Sequence, residues 1–173
     1  MKYQYQLLFR LILLFAVPLS LFYFIFTPLT IYPSYFLLKL SGFAPQFTSS
    51  TVLAFKELAI KFVPACIAGS AYYLLYILIM LTKDLSIMQS LKLFIYGSLL
   101  ILSVNLIRIY IIVFVLIKYG LNYFDMIHLF FWTFVASTYV ALIWIFLTRK
   151  MKIKSIPAYS DVMYLYKKIK KNI

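Results

Sequence analysis

Charged residues are scarce in this chain, and reactive side chains are scarcer still. Only 12% of the 173 residues are charged, four are acidic, and the chain has one cysteine and one histidine. A single cysteine excludes an internal disulfide cycle, which a membrane thiol oxidoreductase needs. One histidine with four carboxylates does not supply a typical metalloprotease site, and the glycine-x-serine-x-glycine motif of serine hydrolases is absent.

Uncharged runs, by contrast, are long. Hydrophobic residues make up 65% of the chain, and a helix needs about 20 mostly apolar residues to cross a bilayer. Four charge-poor runs meet this length, so we expect an all-α integral membrane protein with about four transmembrane helices in a single membrane domain: residues 7–29, 62–82, 93–117 and 127–148. Pro18 lies inside the first run, where we expect a kink.

Basic residues lie mostly on one side of these predicted spans. A cytoplasmic N-terminus keeps the basic tail, residues 149–173, in the cytoplasm, whereas the opposite orientation would translocate it. We therefore expect a multi-pass protein of the cell membrane with both termini cytoplasmic. Attraction of this tail to anionic lipid accounts for the net charge of +13, so we expect no nucleic-acid partner.

The segment between the first two predicted spans, residues 30–61, is apolar in parts but interrupted by proline, glycine and lysine. It is too broken to span, and we expect it outside the cell as an interfacial segment. Its apolar stretches, 32–40 and 52–62, suit short helices or strands. Such a segment is either a cap over a substrate entrance or an inert loop.

Three predicted spans each contain one isolated reactive or ionisable residue. Cys66 lies in the second span, Arg108 in the third, and His128 opens the fourth. At about 1.5 Å of rise per residue, Cys66 lies about 24 Å and Arg108 about 22 Å above the inner boundary. His128 begins its span at the outer end, so all three are expected in the outer third of the membrane.

Each of these residues also has a simpler interpretation. A lone cysteine in a membrane helix usually packs as a small apolar residue, and a lone histidine is often interfacial. Arginine costs about 2.5 to 3.5 kcal/mol near mid-span, which favours a functional role over snorkelling to the headgroups. Asn105 and Asp125 each lie three residues before one of the ionisable residues. Asn105 could orient the guanidinium or bond across helices, and Asp125 could orient the imidazole, although a solvated loop carboxylate is the commoner role.

Together the three residues fit a cysteine-nucleophile enzyme. Burial raises the pKa of a thiol, so Cys66 would need a nearby cation or base. Arg108 can stabilise a thiolate or an oxyanion, and His128 can accept the thiol proton and return it to the leaving amine. Pro64 and Gly69 suggest that a helix starts near Cys66, with its dipole favouring the thiolate and its small residues admitting a substrate backbone.

At these residues the chain resembles the exosortase and archaeosortase family of membrane cysteine transpeptidases. The matching stretches surround Cys66, Arg108 and His128: residues 62–69, with alanine before the cysteine and Gly69 three positions after it, 105–109 and 125–130. The commoner family pattern has serine or threonine directly after the cysteine, whereas this chain has Ile67 and Ala68 before the glycine.

The resemblance implies that Cys66, Arg108 and His128 are the catalytic residues. It also implies that the substrates are secreted proteins whose C-terminal sorting tail is hydrophobic and ends in a basic cluster. Cleavage would occur on the extracytoplasmic side through a thioacyl intermediate, with a membrane lipid as a candidate acceptor and no metal or organic cofactor. The alternative from a different class is a small membrane adaptor or transporter subunit in which Arg108 is structural.

Overall fold

The structure is a computed structural model that describes residues 3–55, 58–83, 85–130, 136–153 and 155–172. Within these ranges, it leaves out the side chains of residues 3, 4, 125, 128–130, 136, 137, 167–169, 171 and 172. The described chain is mostly helical, with one small antiparallel sheet.

The chain begins with two helices separated at Pro18. Helix α1 covers Tyr3–Ala16 and α2 covers Leu19–Leu40. Pro18 is extended and precedes the first residue of α2, a position where its missing amide hydrogen costs nothing. The predicted kink at Pro18 coincides with this break, and the predicted span 7–29 includes the end of α1 and the first half of α2, which continues to Leu40.

A three-stranded antiparallel sheet follows α2 in the order β1–β2–β3. Its strands are β1 (Gln46–Ser49), β2 (Val52–Phe55) and β3 (Leu58–Lys61). Leu53 and Phe55 on β2 are buried, and the Phe47 ring packs on Tyr35 of α2 with centroids 4.7 Å apart. The all-α class therefore does not cover this segment, and β2 and β3 lie in the stretch 52–62, for which short helices or strands were predicted.

The predicted second span is a broken helix. Helix α3 covers only Pro64–Ile67, and α4 covers Gly69–Met80. Between them Ala68 adopts a left-handed conformation (φ 57°, ψ 31°). That conformation is uncommon for a residue with a Cβ, and it stops the regular hydrogen-bond pattern of one helix before the next begins.

Helix α5, Ile87–Tyr119, is the longest in the described chain at 33 residues. It starts with a reciprocal capping box between Ser86 and Gln89. Its buried positions recur every three or four residues along the face that meets α4 and α7: Leu93, Gly97, Ile101, Asn105, Arg108 and Ile112. The predicted span 93–117 lies entirely inside this helix.

Gly120, with a φ of 84°, ends α5 and allows a sharp change of direction. Helix α6 (Leu121–Phe130) then packs against α5, and α7 (Ala136–Lys150) packs against α4 and α5. The predicted run 127–148 falls across both helices, and its residues 131–135 lie outside the described ranges.

The C-terminal tail contains an eighth helix, α8 (Tyr159–Asn172). The hydrophobic core lies between α2, α4, α5 and α7 and extends to β2. Among the described helices, α2 and α5 are long and apolar enough to cross a membrane, whereas α4 is apolar but shorter.

Candidate functional site

The helix break at Ala68 determines what surrounds Cys66. Cys66 lies in the single turn of α3. Pro64 is the first residue of this turn, and the Cys66 amide donates to the Val63 carbonyl at 2.8 Å. The next amide pattern restarts with Ala71 bonding to the Ala68 carbonyl at 2.9 Å. The carbonyl groups of Ala65 and Cys66 are thereby left to accept hydrogen bonds from elsewhere.

Two side chains of α5 supply those hydrogen bonds. The Asn105 side-chain amide donates from Nδ2 to the Cys66 carbonyl at 2.9 Å, and the Arg108 guanidinium donates from Nη2 to the Ala65 carbonyl at 2.9 Å. These contacts confirm the expectation that Cys66 and Arg108 lie at the same level of neighbouring helices. They also give Asn105 a direct contact with the backbone of the cysteine.

Burial makes these donors costly to leave unpaired. Arg108 is 6% exposed and Asn105 is 1% exposed. Arg108 Nε and Asn105 Oδ1 have no hydrogen-bond partner in the described part of the protein. Among the described side chains, no carboxylate pairs with Arg108. The site thus has a buried positive charge with unused donor capacity facing the turn that holds Cys66.

Two tyrosines belong to this region that the sequence did not single out. Tyr72 of α4 is completely buried, and its hydroxyl has no hydrogen-bond partner among the described residues. Tyr139 of α7 is 9% exposed, and α7 packs against both α4 and α5, the helices that carry Tyr72 and Arg108. The Tyr72 ring also stacks on Phe26 with centroids 3.5 Å apart. A cysteine, a guanidinium and two phenols are therefore gathered from α3, α5, α4 and α7.

Gly69 has a different neighbour from the one expected. A Cβ at Gly69 would lie 2.6 Å from the ring of Tyr23 on α2, so the space beside this glycine is filled by an aromatic ring. Gly69 permits close packing of α2 on α4, and a substrate backbone cannot use that space as predicted. The expected helix dipole is also small, because α3 is a four-residue turn.

His128 and Asp125 lie on α6, and the structure does not describe their side chains. The backbone of α6 packs on α5, the helix that carries Arg108. The interaction of His128 with Cys66 and that of Asp125 with His128 therefore stay predictions. Among the described residues no group of three or more histidine, cysteine, aspartate or glutamate side chains could hold a metal ion.

An apolar groove of ≈ 390 Å³ lies elsewhere, between α2, α4 and α5. It is lined by residues such as Phe22, Ile79 and Phe94, so it lies toward the end of α4 that is far from Cys66.

Compared with known protein families, with curated proteins and with solved structures, the chain gives no match. Its function has to be inferred from its own residues.

Proposed function

We propose that this protein is a membrane-embedded cysteine transpeptidase that removes C-terminal sorting tails from secreted proteins. Cys66 is the nucleophile, Arg108 the electrostatic stabiliser and His128 the general acid and base. The observation that carries the proposal is the pair of hydrogen bonds from Asn105 and Arg108 to the two carbonyls at Cys66. They hold a buried, permanently charged donor beside the only cysteine in the chain.

In the proposed reaction the Cys66 thiol gives its proton to His128, and the sulfur attacks the carbonyl carbon of the scissile peptide bond. The tetrahedral oxyanion is stabilised by the guanidinium of Arg108 in a water-poor environment. Collapse breaks the carbon–nitrogen bond, and His128 returns the proton to the leaving amine. The product is a thioester on Cys66, which an acceptor such as a lipid amine resolves while the sulfur recovers its proton.

The proposed membrane arrangement has four crossings in one domain: α2, the broken pair α3 and α4, α5, and α7. Arg10 bonds to the Met80 carbonyl and to Asp161 of α8, and Lys83 lies over the Tyr164 ring. This puts basic residues from both termini and from the loop before α5 at one end of the molecule, which supports a shared cytoplasmic side. Cys66 then faces the extracytoplasmic side, near the sheet.

The decisive experiment replaces Cys66 with alanine or serine in cells that also express a secreted protein with a hydrophobic, basic-ended tail. We expect tail removal in the unchanged protein and none in either variant, with immunoblots following the tail. Ser70→Ala, at an exposed position on α4, is the matched control and should process normally. Normal tail removal by a Cys66→Ala protein that is expressed and inserted would disprove the proposal.

A thioacyl intermediate offers an independent readout. Because the chain has a single cysteine, any adduct cleaved by neutral hydroxylamine is attached to Cys66. We expect such an adduct on the wild-type protein during turnover and none on Cys66→Ser. Mass spectrometry of the peptide that contains Cys66 identifies the acyl group, and with it the cleavage position in the substrate.

The two α5 hydrogen bonds also favour a second candidate, a non-enzymatic membrane adaptor or transporter subunit. In that case Asn105 and Arg108 only brace the helix break by satisfying the Ala65 and Cys66 carbonyls. Losing a charged hydrogen bond of this type costs about 1.5 to 3 kcal/mol. An adaptor tolerates Cys66→Ala and loses abundance with Arg108→Ala. An enzyme loses activity with Cys66→Ala at unchanged abundance.

A further inference from the structure

Helix α8 is attached to the rest of the protein by one of its faces. At its start the Ala158 amide donates to the Leu81 carbonyl at 2.8 Å, and Asp161 accepts from Arg10 of α1 at 2.8 Å. One turn later the Tyr164 ring lies under the ammonium group of Lys83, 4.7 Å from the ring centroid. Asp161 is 6% exposed, so this face is a packed contact and not a loose tail.

Away from these contacts, α8 carries apolar side chains that are exposed. Val162 is 63% exposed and Tyr166 is 61% exposed, and Leu165 is also exposed. These three residues are spaced by three and four positions, so they form one stripe along the helix. Asp161 and Tyr164 lie on the docked side, and Leu165, four residues after Asp161 and 38% exposed, lies at the edge of that side. Val162 and Tyr166 are directed away from the contact with α1 and α4.

The chemistry that flanks this stripe is strongly basic. The second half of α8 contains four lysines and no acidic residue: Lys167, Lys168, Lys170 and Lys171. Exposed apolar residues next to a cluster of lysines match the boundary between the acyl chains and the anionic headgroups of a leaflet. A neutral protein partner would satisfy the apolar stripe but not the charge.

We propose that α8 is a lipid-binding helix, with Val162, Leu165 and Tyr166 inserted among the headgroups of an anionic leaflet and the lysines on the phosphates. The contacts of Asp161 and Ala158 hold it at a fixed place below α1 and α4, so the helix anchors the end of the bundle to the membrane surface. This inference is independent of the proposed enzyme activity, because it uses no residue of the Cys66 region.

The test is a depth measurement on the full chain in nanodiscs. A nitroxide is attached at Val162→Cys in a Cys66→Ser background, and its collisions with oxygen and with a water-soluble nickel chelate are compared. In discs of phosphatidylcholine and phosphatidylglycerol in equal parts we expect a severalfold lower nickel accessibility than in pure phosphatidylcholine. Raising the salt from 0.1 M to 1 M shortens the screening length from about 10 Å to about 3 Å, so it should restore accessibility.

Two further positions control for folding and for labels outside α8. Leu165→Cys lies at the edge of the same stripe and should also be protected, whereas Ser50→Cys, exposed in the turn between β1 and β2, should show no dependence on anionic lipid. A Val162 label that is equally accessible in both disc types overturns the proposal. Equal protection in both overturns the role of anionic lipid, and protection that is seen in discs holding two copies but not in discs holding one indicates a second protein copy instead.

Discussion

At the scale of single residues, the unusual feature is a group of buried polar side chains whose hydrogen-bonding atoms are not all paired. Arg108, Asn105 and Tyr72 are all buried, and each has an atom with no hydrogen-bond partner in the described structure. A buried donor or acceptor without a partner costs about 1 to 3 kcal/mol. Three such atoms in one region therefore indicate a place where stability is sacrificed, which is typical of a site that binds something.

Tyr72→Phe separates the structural from the functional contribution of that hydroxyl. Removing an unpartnered buried hydroxyl takes away a desolvation cost, so we expect a free energy of unfolding that is unchanged or higher by up to about 1 kcal/mol. Tail processing should fall, because the proposed site loses a buried hydroxyl that has no partner among the described residues. Thermal unfolding in detergent and the processing assay measure the two effects. A clear loss of stability would show that the hydroxyl has a structural partner.

Phe22→Leu is the comparison for Tyr72→Phe. Phe22 is buried in the aromatic cluster with Tyr73, Tyr76 and Phe94, away from Arg108. This change should lower stability through lost packing and leave processing per folded molecule unaltered. If both variants reduce processing equally, packing and not the Tyr72 hydroxyl accounts for the effect.

At the scale of elements, the break between α3 and α4 sets the geometry of the site. A continuous helix over residues 64–80 would use the Ala65 and Cys66 carbonyls internally and leave Asn105 and Arg108 without acceptors. The left-handed Ala68 makes these carbonyls available instead. Two changes test this segment, one at the break and one just after it.

Ala68→Val should destabilise the protein by about 1 to 3 kcal/mol, because a β-branched residue is strained at positive φ. Ala68→Gly removes the Cβ that opposes this conformation, so it should be tolerated or mildly stabilising. Denaturation of both variants in the same detergent measures the difference between them. Equal stability of the valine and glycine variants would mean that residue 68 is not left-handed in the membrane.

Gly69→Ala should cost about 1 to 3 kcal/mol through overpacking. The added methyl group would meet the Tyr23 ring, with the nearest ring atoms at 2.6 Å, and the ring has to shift. Ser70→Ala changes the next residue, which is exposed, and should leave the melting temperature unaltered. Gly69→Ala should cost less stability in a Tyr23→Ala protein, which lacks the ring, than in the unchanged protein. An equal cost in both would contradict the contact.

Much of the helical order follows from the sequence, because long charge-poor runs and proline act locally. The run 93–117 predicted the centre of α5, Pro18 predicted the break after α1, and helical rise placed Cys66 level with Arg108. The strands at 46–61 are four residues long, too short for periodicity to identify. The sequence around Ala68 does not indicate a left-handed conformation. Nor does the sequence distinguish Tyr72 from the other 15 tyrosines.

At the scale of the whole molecule, one guanidinium joins three distant helices. Arg10 of α1 donates from Nε to the Met80 carbonyl at the end of α4 at 2.7 Å, and from Nη2 to Asp161 of α8. Both partners of the ion pair are largely buried, with side-chain exposures of 18% and 9%. Removing one partner of a pair in that environment costs more than removing a surface ion pair, which contributes typically 0 to about 1 kcal/mol, because the remaining charge stays buried.

Breaking the Arg10–Asp161 ion pair measures how strongly it couples the two ends of the chain. Asp161→Asn leaves Arg10 without its counter-charge, and we expect a loss of about 1 to 3 kcal/mol. A double-mutant cycle with Arg10→Gln isolates the pair, and a coupling of at least about 0.5 kcal/mol is expected for groups in direct contact. Thermal unfolding of the four proteins gives this value. Strict additivity would show that the contact contributes nothing in solution.

The length of α5 also bears on how much water would reach the proposed reaction. Its 33 residues make about 50 Å of helix against about 30 Å of hydrocarbon, so a helix that enters at Ile87 carries Arg108 up to the outer headgroups. In the proposed reaction, water at that level would compete with any acceptor for the thioester on Cys66. Whether the products are transferred or hydrolysed then depends on how well the sheet and the last turns of α5 roof the thiol. Residues that take no part in the proposed chemistry would then determine the ratio of transferred to hydrolysed product.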